Sequence, residues 1–419
     1  MLALLAGLLE AAFLAVRGLH PLDENVPEVI AVTLAVGLVY LTAAHLVLSW
    51  NQCTRSALFV VLLASLAFRL TLFSLPPTLS YDLYRYQWEG KVQLAGRNPY
   101  LSAPADPELA HLRPTEFNRL PGAEYTAAYG PLTELLFRLA ARLDGQAGLK
   151  LLSVAFDLAT LVVLLGLLRT RREPPVRALL YAWCPLVVVE FAGSGHNDSV
   201  ALFGFLLANF LIIRQRPVVS NAALAAAALS KWFAAVAAPV FLWRSGWRGL
   251  LAFLAVGLAA ALPYRDAGWN LFGGLLSYAG EWRNNESLYA LLLAATGQET
   301  VATGVALGVG AGLAVHAAAR GTDPLRASYL LVAAVLLLSP SVFPWYVTWL
   351  VPFLCFFPNP GFLVFTTTVL LSYHVLIDYT SLGVWRYTPW LVWLEYVPVY
   401  TLLLWRWGRT GRFAAQLKN

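Results

Sequence analysis

Apolar runs of roughly 16–22 residues recur along the whole chain, and no other feature constrains its fold as tightly. Each run reads as a spanning helix. The runs read as spans at 1–17, 29–49, 56–75, 149–168, 178–192, 199–213, 249–264, 300–318, 327–340, 343–357, 361–377 and 389–406. Residues 218–242 add two short apolar stretches with Lys231 between them. Of the 419 residues, 59% are hydrophobic and only 12% are charged, whereas a soluble domain carries about 25% charged residues. Most of the surface must therefore face something other than water. The fold expected is a single all-α polytopic membrane domain over residues 1–419, with about 12 spans. The first run lacks a basic leader and a small-residue cleavage site, so it reads as a span and not as a signal peptide.

Charge sets the expected orientation. With the N-terminus cytoplasmic, the inner loops and tail hold Arg55, Arg169, Arg171, Arg172, Arg177, Arg214, Arg216, Arg244, Arg248, Arg320, Arg326, Arg406, Arg409, Arg412 and Lys418. That is 15 of the 29 basic residues, against only Glu173 and Asp323. The opposite loops carry acids such as Asp23, Glu24 and Glu28. Lys and Arg collect on the cytoplasmic side of membrane proteins. This also explains the net charge of +6 without a nucleic-acid partner. The basic flanks of 218–242 suggest a re-entrant hairpin from the cytoplasmic side, with one long tilted helix as the alternative. Cys53, Cys184 and Cys355 fit no metal or disulfide spacing.

One outer segment, 76–148, is too long for a connector and too rich in Trp, Tyr and Leu for disorder. Within it, Leu132 to Leu143 reads as an interfacial amphipathic helix with Glu134, Arg138 and Arg142 on its polar side. A second outer loop covers about 265–299. No internal repeat is visible, which disfavours transporter folds built from repeated halves.

The densest polar and aromatic cluster follows the third span, from Ser80 through Tyr81-Asp82-Leu83-Tyr84-Arg85-Tyr86-Gln87-Trp88-Glu89-Gly90 to Gly96-Arg97-Asn98-Pro99-Tyr100. Asp82 and Glu89 are seven apart, two turns along one helix face. A carboxylate there is placed to take a proton from an attacking hydroxyl. The competing reading is an interfacial aromatic belt, which accounts for the rings but not for two acids just beyond a span.

This segment, with Tyr129-Gly130-Pro131, resembles bacterial GT-C glycosyltransferases, and in particular polyprenyl-phosphate-mannose-dependent mannosyltransferases. Weaker matches extend it: Gly195-His196-Asn197-Asp198, Ser230-Lys231, and Ser339-Pro340 followed by Pro344-Trp345-Tyr346. The resemblance implies a GT-C-like bundle with interfacial helices in the first outer loop. It also implies an acidic residue early in that loop as catalytic base, which falls on Asp82. Asp82 as a helix cap is the bland alternative. Relatives often have Asp where this chain has Glu89, and His where it has Phe343. Glu89 is expected to position the acceptor or share the acid–base work, or simply to pair with Arg85 or Lys91.

The donor implied is a polyprenyl-phosphate sugar, and the acceptor a lipid, glycan or protein. Candidates for the donor phosphate or sugar are Arg85, Lys91, Arg97, His196, Asp198, Arg265, His374 and Arg386, with Arg283 as a further outer-loop option. Head-group anchoring explains each arginine equally well, and helix capping explains Asp198. His374 and Asp378 share a helix face inside a span, and such an ionisable residue is a functional candidate by default. His374 is therefore the substitute for the histidine missing at Phe343. Lys231 is read as deeper and on the wrong side for chemistry, with a structural or lipid-head role. Tyr84, Trp88, Tyr100, Tyr129, Trp345 and Tyr346 are candidates to pack on a sugar. No cofactor or divalent metal is expected.

The reaction expected is an inverting single displacement on the non-cytoplasmic face of a bacterial inner membrane, with both termini cytoplasmic. No nucleotide-binding glycine loop is visible, which favours a lipid-linked donor. The rival from another class is a flippase or transporter of a lipid-linked sugar. A third reading is a transferase of whole glycans from the same superfamily.

Overall fold

The computed structural model describes residues 1–50, 54–115 and 117–416, and Cys53 and Lys418 lie outside them. In chain order the main helices are α1 (Leu2–Gly18), α2 (Val26–Ser49), α3 (Arg55–Phe73), α4 (Asp82–Leu94), α5 (Pro131–Leu143) and α6 (Gln146–Thr170). There follow α7 (Pro175–Ala182) and α8 (Pro185–Gly193), which meet at a 60° bend. Next come α9 (Asp198–Ile213), α10 (Pro217–Ser230), α11 (Ala238–Ala261), α12 (Gly273–Glu281), α13 (Leu288–Thr296), α14 (Glu299–Ala319) and α15 (Pro324–Leu338). The last two are α16 (Pro360–Leu382) and α17 (Pro389–Gln416). Among the described residues the only strand-like pairing is one isolated bridge, Asn284 to Ser341.

Among the described residues, six helices are long and apolar enough to cross a membrane, or seven if α7 and α8 count as one broken span. They are α2, α3, α6, α14, α16 and a composite Trp232–Gly280 that contains α11. α9, α10 and α15 are apolar but shorter, at 16, 14 and 15 residues. Residues 343–357 are not one α-helix. They hold two single turns, Pro344–Val347 and Val351–Leu354, joined by i to i+3 hydrogen bonds such as Leu350 N–H to the Val347 carbonyl. Pro344 and Pro352 lack the N–H an α-helix needs, and this tighter winding rises about 2 Å per residue instead of 1.5.

The chain forms two compact units. The first comprises residues 1–79, 168–189 and 342–419. Its organising feature is the break after α7. Pro185 disfavours helical geometry at Cys184, which is extended (φ −59°, ψ 117°). The last carbonyls of α7 then need partners from elsewhere. Tyr40 of α2 donates to Leu180 O at 2.7 Å, and Arg69 of α3 donates to Ala182 O at 2.9 Å as well as to Ser65. Trp183 donates back to Val61 O at 2.9 Å.

The second unit comprises residues 80–167 and 190–341. α9 and α10 run antiparallel at close range, and a Cβ on Gly204 would lie 3.1 Å from that of Ala227. α10 is about 21 Å long, nearly as long as α9. The chain folds back after it, and Asn221 donates to Ser245 Oγ at 2.8 Å. Lys231 is therefore the tip of a deep hairpin. That tip is pinned to the start of α5: Thr133 donates to Ser230 O at 2.9 Å, and Gly130 passes so near Leu229 O that a Cβ would lie 2.0 Å from it.

α4 and α5 cross at Gly90, where a Cβ would stand 2.3 Å from Phe137 O and 2.8 Å from the Ala141 Cβ. A backbone oxygen cannot rotate aside. Gly90→Ala is expected to destabilise the protein by about 1–3 kcal/mol. Gly257→Ala, which meets nothing within 4 Å, is expected to stay within about 0.5 kcal/mol. Thermal unfolding of both variants in one detergent checks the contrast.

Candidate active site

Asp82 is the first residue of α4, where the helix dipole favours a carboxylate. One turn on, Tyr86 donates to Asp82 Oδ2 at 3.4 Å. Tyr129 donates to the Tyr86 hydroxyl at 3.1 Å. Tyr86 stacks on Phe137 of α5 (4.5 Å, 12°) and meets Tyr129 edge-on, so both rings are locked by packing. Burial pushes both phenols well above their ordinary range. The nearby Tyr129 and Asp82 add to this for Tyr86, and Asp82 and Asp198 for Tyr129. Both hydroxyls stay protonated, and the line of donors ends on Asp82. The Asp82 side chain keeps 22% of its surface exposed.

His196 comes near Asp82 because a helix breaks. α8 ends in a π-helical turn, Val189–Gly193, which carries Glu190. Gly195 then takes a positive φ of 75°, in space where a Cβ would lie 2.9 Å from Leu83 and 3.0 Å from Lys150. This turn delivers His196. Its backbone N–H bonds Glu190 O at 3.0 Å, and its carbonyl accepts from Ser153 at 2.8 Å. The imidazole lies between two carboxylates, Nδ1 at 2.9 Å from Glu190 Oε2 and Nε2 at 3.8 Å from Asp82 Oδ2. Both His196 and Glu190 are fully buried.

Asp198 is the first residue of α9, after Asn197 at the cap position, and it too is fully buried. Its partner is Lys231, Nζ to Oδ2 at 2.8 Å. The Lys231 side chain is 11% exposed and its Nζ lies 5.5 Å from the centre of the Tyr129 ring. Lys231, expected to lie apart from the chemistry, thus sits on Asp198 and beside Tyr129. The hairpin is deep enough to bring its tip level with the start of α9, and Lys231 joins the Asp82 cluster.

Glu89 faces a different group. Arg85 donates to Glu89 Oε1 at 2.7 Å, and to the carbonyls of Gly122 (2.6 Å) and Tyr125 (2.8 Å). Its guanidinium is therefore committed to holding the loop between α4 and α5 on α4. Gln93 donates to Glu134 Oε2 at 3.0 Å and accepts from Tyr264 at 2.8 Å. Glu134 also lies within the influence of the Glu89 charge. Glu134 was expected on the polar side of the interfacial helix. It is instead fully buried against α4, because Gln93 offers it a partner there. Burial, and then the Glu89 charge, raise its carboxyl well above the ordinary range, with Arg85 opposing.

The other sequence candidates are dispersed. Lys91 is half-buried on α4. Arg97 is exposed and lies 3.7 Å from Glu108, and Arg265 is exposed. Trp88 is a core residue packed with Val92, Leu109 and Leu120. Tyr84 is buried, and Tyr100 is buried with its hydroxyl on Tyr129 O at 2.7 Å. Arg283 pairs with Glu286 and Glu299. His374, Arg386, Trp345 and Tyr346 belong to the first unit. There His374 uses Nδ1 toward Leu371 O (2.8 Å) and Nε2 to accept from Thr388 N–H (2.8 Å). Both ring nitrogens are engaged with backbone. Arg386 lies 3.6 Å from Asp378. Phe343 stacks on Trp345 (4.5 Å, 10°), and Tyr346 stacks on Trp349. Among the described residues, no group of three or more His, Cys, Asp and Glu is arranged to hold a metal ion.

Sequence reasoning missed Glu190, Tyr86 and Lys231 as members of the site. Their signal was present: Glu190 interrupts an apolar span, and Lys231 sits between two apolar stretches, where ionisable groups are costly.

A family model described as "Alpha-(1->6)-mannopyranosyltransferase, N-terminal domain" matches residues 1–246. That stretch contains Asp82, Tyr86, Tyr129, Glu190, His196, Asp198 and Lys231. No curated protein and no solved structure matches the chain.

Two outcomes follow from these pairings. Lys231→Met strands Asp198 without its cation and should cost about 3–5 kcal/mol, whereas Asp198→Asn with Lys231→Met should recover much of that loss in thermal unfolding. Glu134 holds its proton more tightly folded than unfolded. Its contribution to stability is therefore full below its ordinary value of 4.5, and is lost as the pH rises through its elevated folded value. Wild type should lose thermal stability as the pH is raised above 4.5, and Glu134→Gln should flatten that slope.

Proposed function

This chain belongs to the MptA_B family of alpha-(1->6)-mannopyranosyltransferases, and from that premise we propose how it transfers mannose. The donor is mannose linked to a polyprenyl phosphate. The acceptor is a sugar hydroxyl, and a 1→6 bond requires the primary hydroxyl at C6. Asp82 is the catalytic base. It takes the acceptor proton as that oxygen attacks the anomeric carbon and the phosphate oxygen departs with the bonding pair. A single displacement inverts the anomeric centre, so an α product calls for a β-linked donor. Lys231 steadies the leaving phosphate, as a cation that retains some exposure beside Tyr129, whose hydroxyl bonds that of Tyr86. The reaction takes place on the non-cytoplasmic face, where the loop following α3 carries Asp82. The full bundle has about 12 spans of GT-C type, once the short and broken helices are counted with the long ones. The lipid tail lies among them.

The observation that carries this reading is the setting of Asp82. It is a partly exposed carboxylate at a helix start, aimed by Tyr86 and flanked by His196, in a stretch of chain that matches the family. A carboxylate that only capped its helix would need none of these partners.

Mannosyl transfer from a synthetic polyprenyl-phosphate-mannose panel, in nanodiscs, tests it. Asp82→Asn is expected to lower turnover by about 10²–10⁴-fold while donor still binds. Transfer at the wild-type rate by Asp82→Asn would move the base elsewhere. Movement of the lipid between leaflets without transfer would favour a flippase.

A further inference from the structure

The imidazole of His196 has a carboxylate on each side, and the two differ in access: Asp82 keeps some exposure, whereas Glu190 has none. Resting on the mannosyl-transfer reading, we propose that His196 and Glu190 complete the base, with His196 Nε2 receiving the acceptor's proton through Asp82 and Glu190 stabilising the imidazolium that results.

The tautomer follows from the distances. With Glu190 Oε2 2.9 Å from Nδ1, a proton on Nδ1 is the one the nearby carboxylate favours, and the Nε2 lone pair is then left on the Asp82 side. One proton fits between Asp82 Oδ2 and Nε2. With the ring neutral and Asp82 ionised that position is empty. As the acceptor O–H breaks, its oxygen bonds the anomeric carbon, and the carbon–oxygen bond to phosphate breaks with its electron pair left on the phosphate. The proton reaches Asp82 Oδ2 and moves on to Nε2, which restores the carboxylate. The imidazolium then lies between two anions. Between turnovers the proton leaves through Asp82, the exposed member. The 3.8 Å gap is longer than a hydrogen bond, as unliganded catalytic contacts often are.

Two features argue against a merely structural pair. In water an imidazole binds a proton about 10²-fold more tightly than a carboxylate, so passing the proton on makes its removal less uphill. In addition, a neutral acceptor would suffice to orient a histidine. A buried carboxylate is the costlier choice, and it is matched when its partner becomes a cation. The ring has little freedom to turn, because Gly195 passes against Leu83 and Lys150. The charged and titratable groups around the pair are Asp82 and Tyr86 from α4, the Lys150 stem from α6, Asp198 from α9, Lys231 from the hairpin tip and Tyr129 before α5. His196 and Glu190 act through Asp82, and so are positioning and proton-accepting residues.

The test uses the full-length protein in nanodiscs, with ¹⁵N-histidine labelling to follow the ring nitrogens through a pH titration. His196→Gln assigns the signal among the six histidines. The expected result is an Nδ1–H tautomer whose midpoint falls by about 1 pH unit or more in Glu190→Gln and in Asp82→Asn, each of which removes one flanking charge. Alongside, Glu190→Gln should lower kcat by about 10²-fold with donor KM unchanged, and should shift the acidic limb of its pH profile downward. Glu190→Asp should recover part of the rate. Equal His196 midpoints in all three proteins, or a Glu190→Gln enzyme that turns over at the wild-type rate, would overturn the proposal. Wild type that shows the coupling but transfers mannose from no polyprenyl-phosphate donor would overturn the reading of the reaction instead. Which measurement is lost separates the two failures.

Discussion

An apolar chain of this kind carries its charges at a cost, and the helices of this protein break where that cost has to be met. In hydrocarbon a backbone group or an ion without a partner is penalised by several kcal/mol. Three of the interruptions are tied to polar partners. The Cys184–Pro185 break places its carbonyls on Tyr40 and Arg69. The π turn and Gly195 place Glu190 and His196 together, and the end of α10 places Lys231 on Asp198. Polar side chains and helix breaks thus support each other, and removing one leaves the other unsatisfied.

The Asp82 cluster shows how that rule becomes chemistry. Its carboxylates outnumber its fixed cation: Asp82, Glu190 and Asp198 face Lys231 and a titratable imidazole. Two buried phenols, held protonated, point their hydrogen bonds toward the carboxylate that retains exposure. Such a site is organised before any substrate arrives, since its rings are stacked and its loop is fixed by a glycine with no room for a side chain. Preorganised polar groups of this kind stabilise developing charge without a cost of rearrangement during the reaction.

The second carboxyl group has a different character. Glu89 and Glu134 share their surroundings with Arg85, Gln93 and Tyr264, and the guanidinium spends its remaining donors on loop carbonyls. Two carboxyls against one cation are tolerated because Glu134 keeps its proton. This network fastens the long loop to α4. Tyr100, whose ring meets Tyr264 edge-on, holds the carbonyl of Tyr129, which bears on the cluster through Lys231 and Tyr86.

Much of this was legible in the chain alone. Hydropathy is a sum over neighbouring residues, so an all-helical membrane protein follows from the apolar runs. The acid-bearing motif from Asp82 to Tyr100 is likewise local, and with it came Asp82 and the resemblance to a mannosyltransferase. Partners across the sequence were another matter. Glu190, Lys231 and Glu134 are polar residues in or beside apolar segments, and nothing local states which way each turns. That depends on where a helix stops and how far the next one reaches, and here both were decided by packing: a proline at Cys184–Pro185, a positive φ at Gly195, a hairpin as deep as α9 is long. Short-range pattern determined which residues carry charge, and only the tertiary structure decided which charges meet, because a buried ion takes its role from its partner.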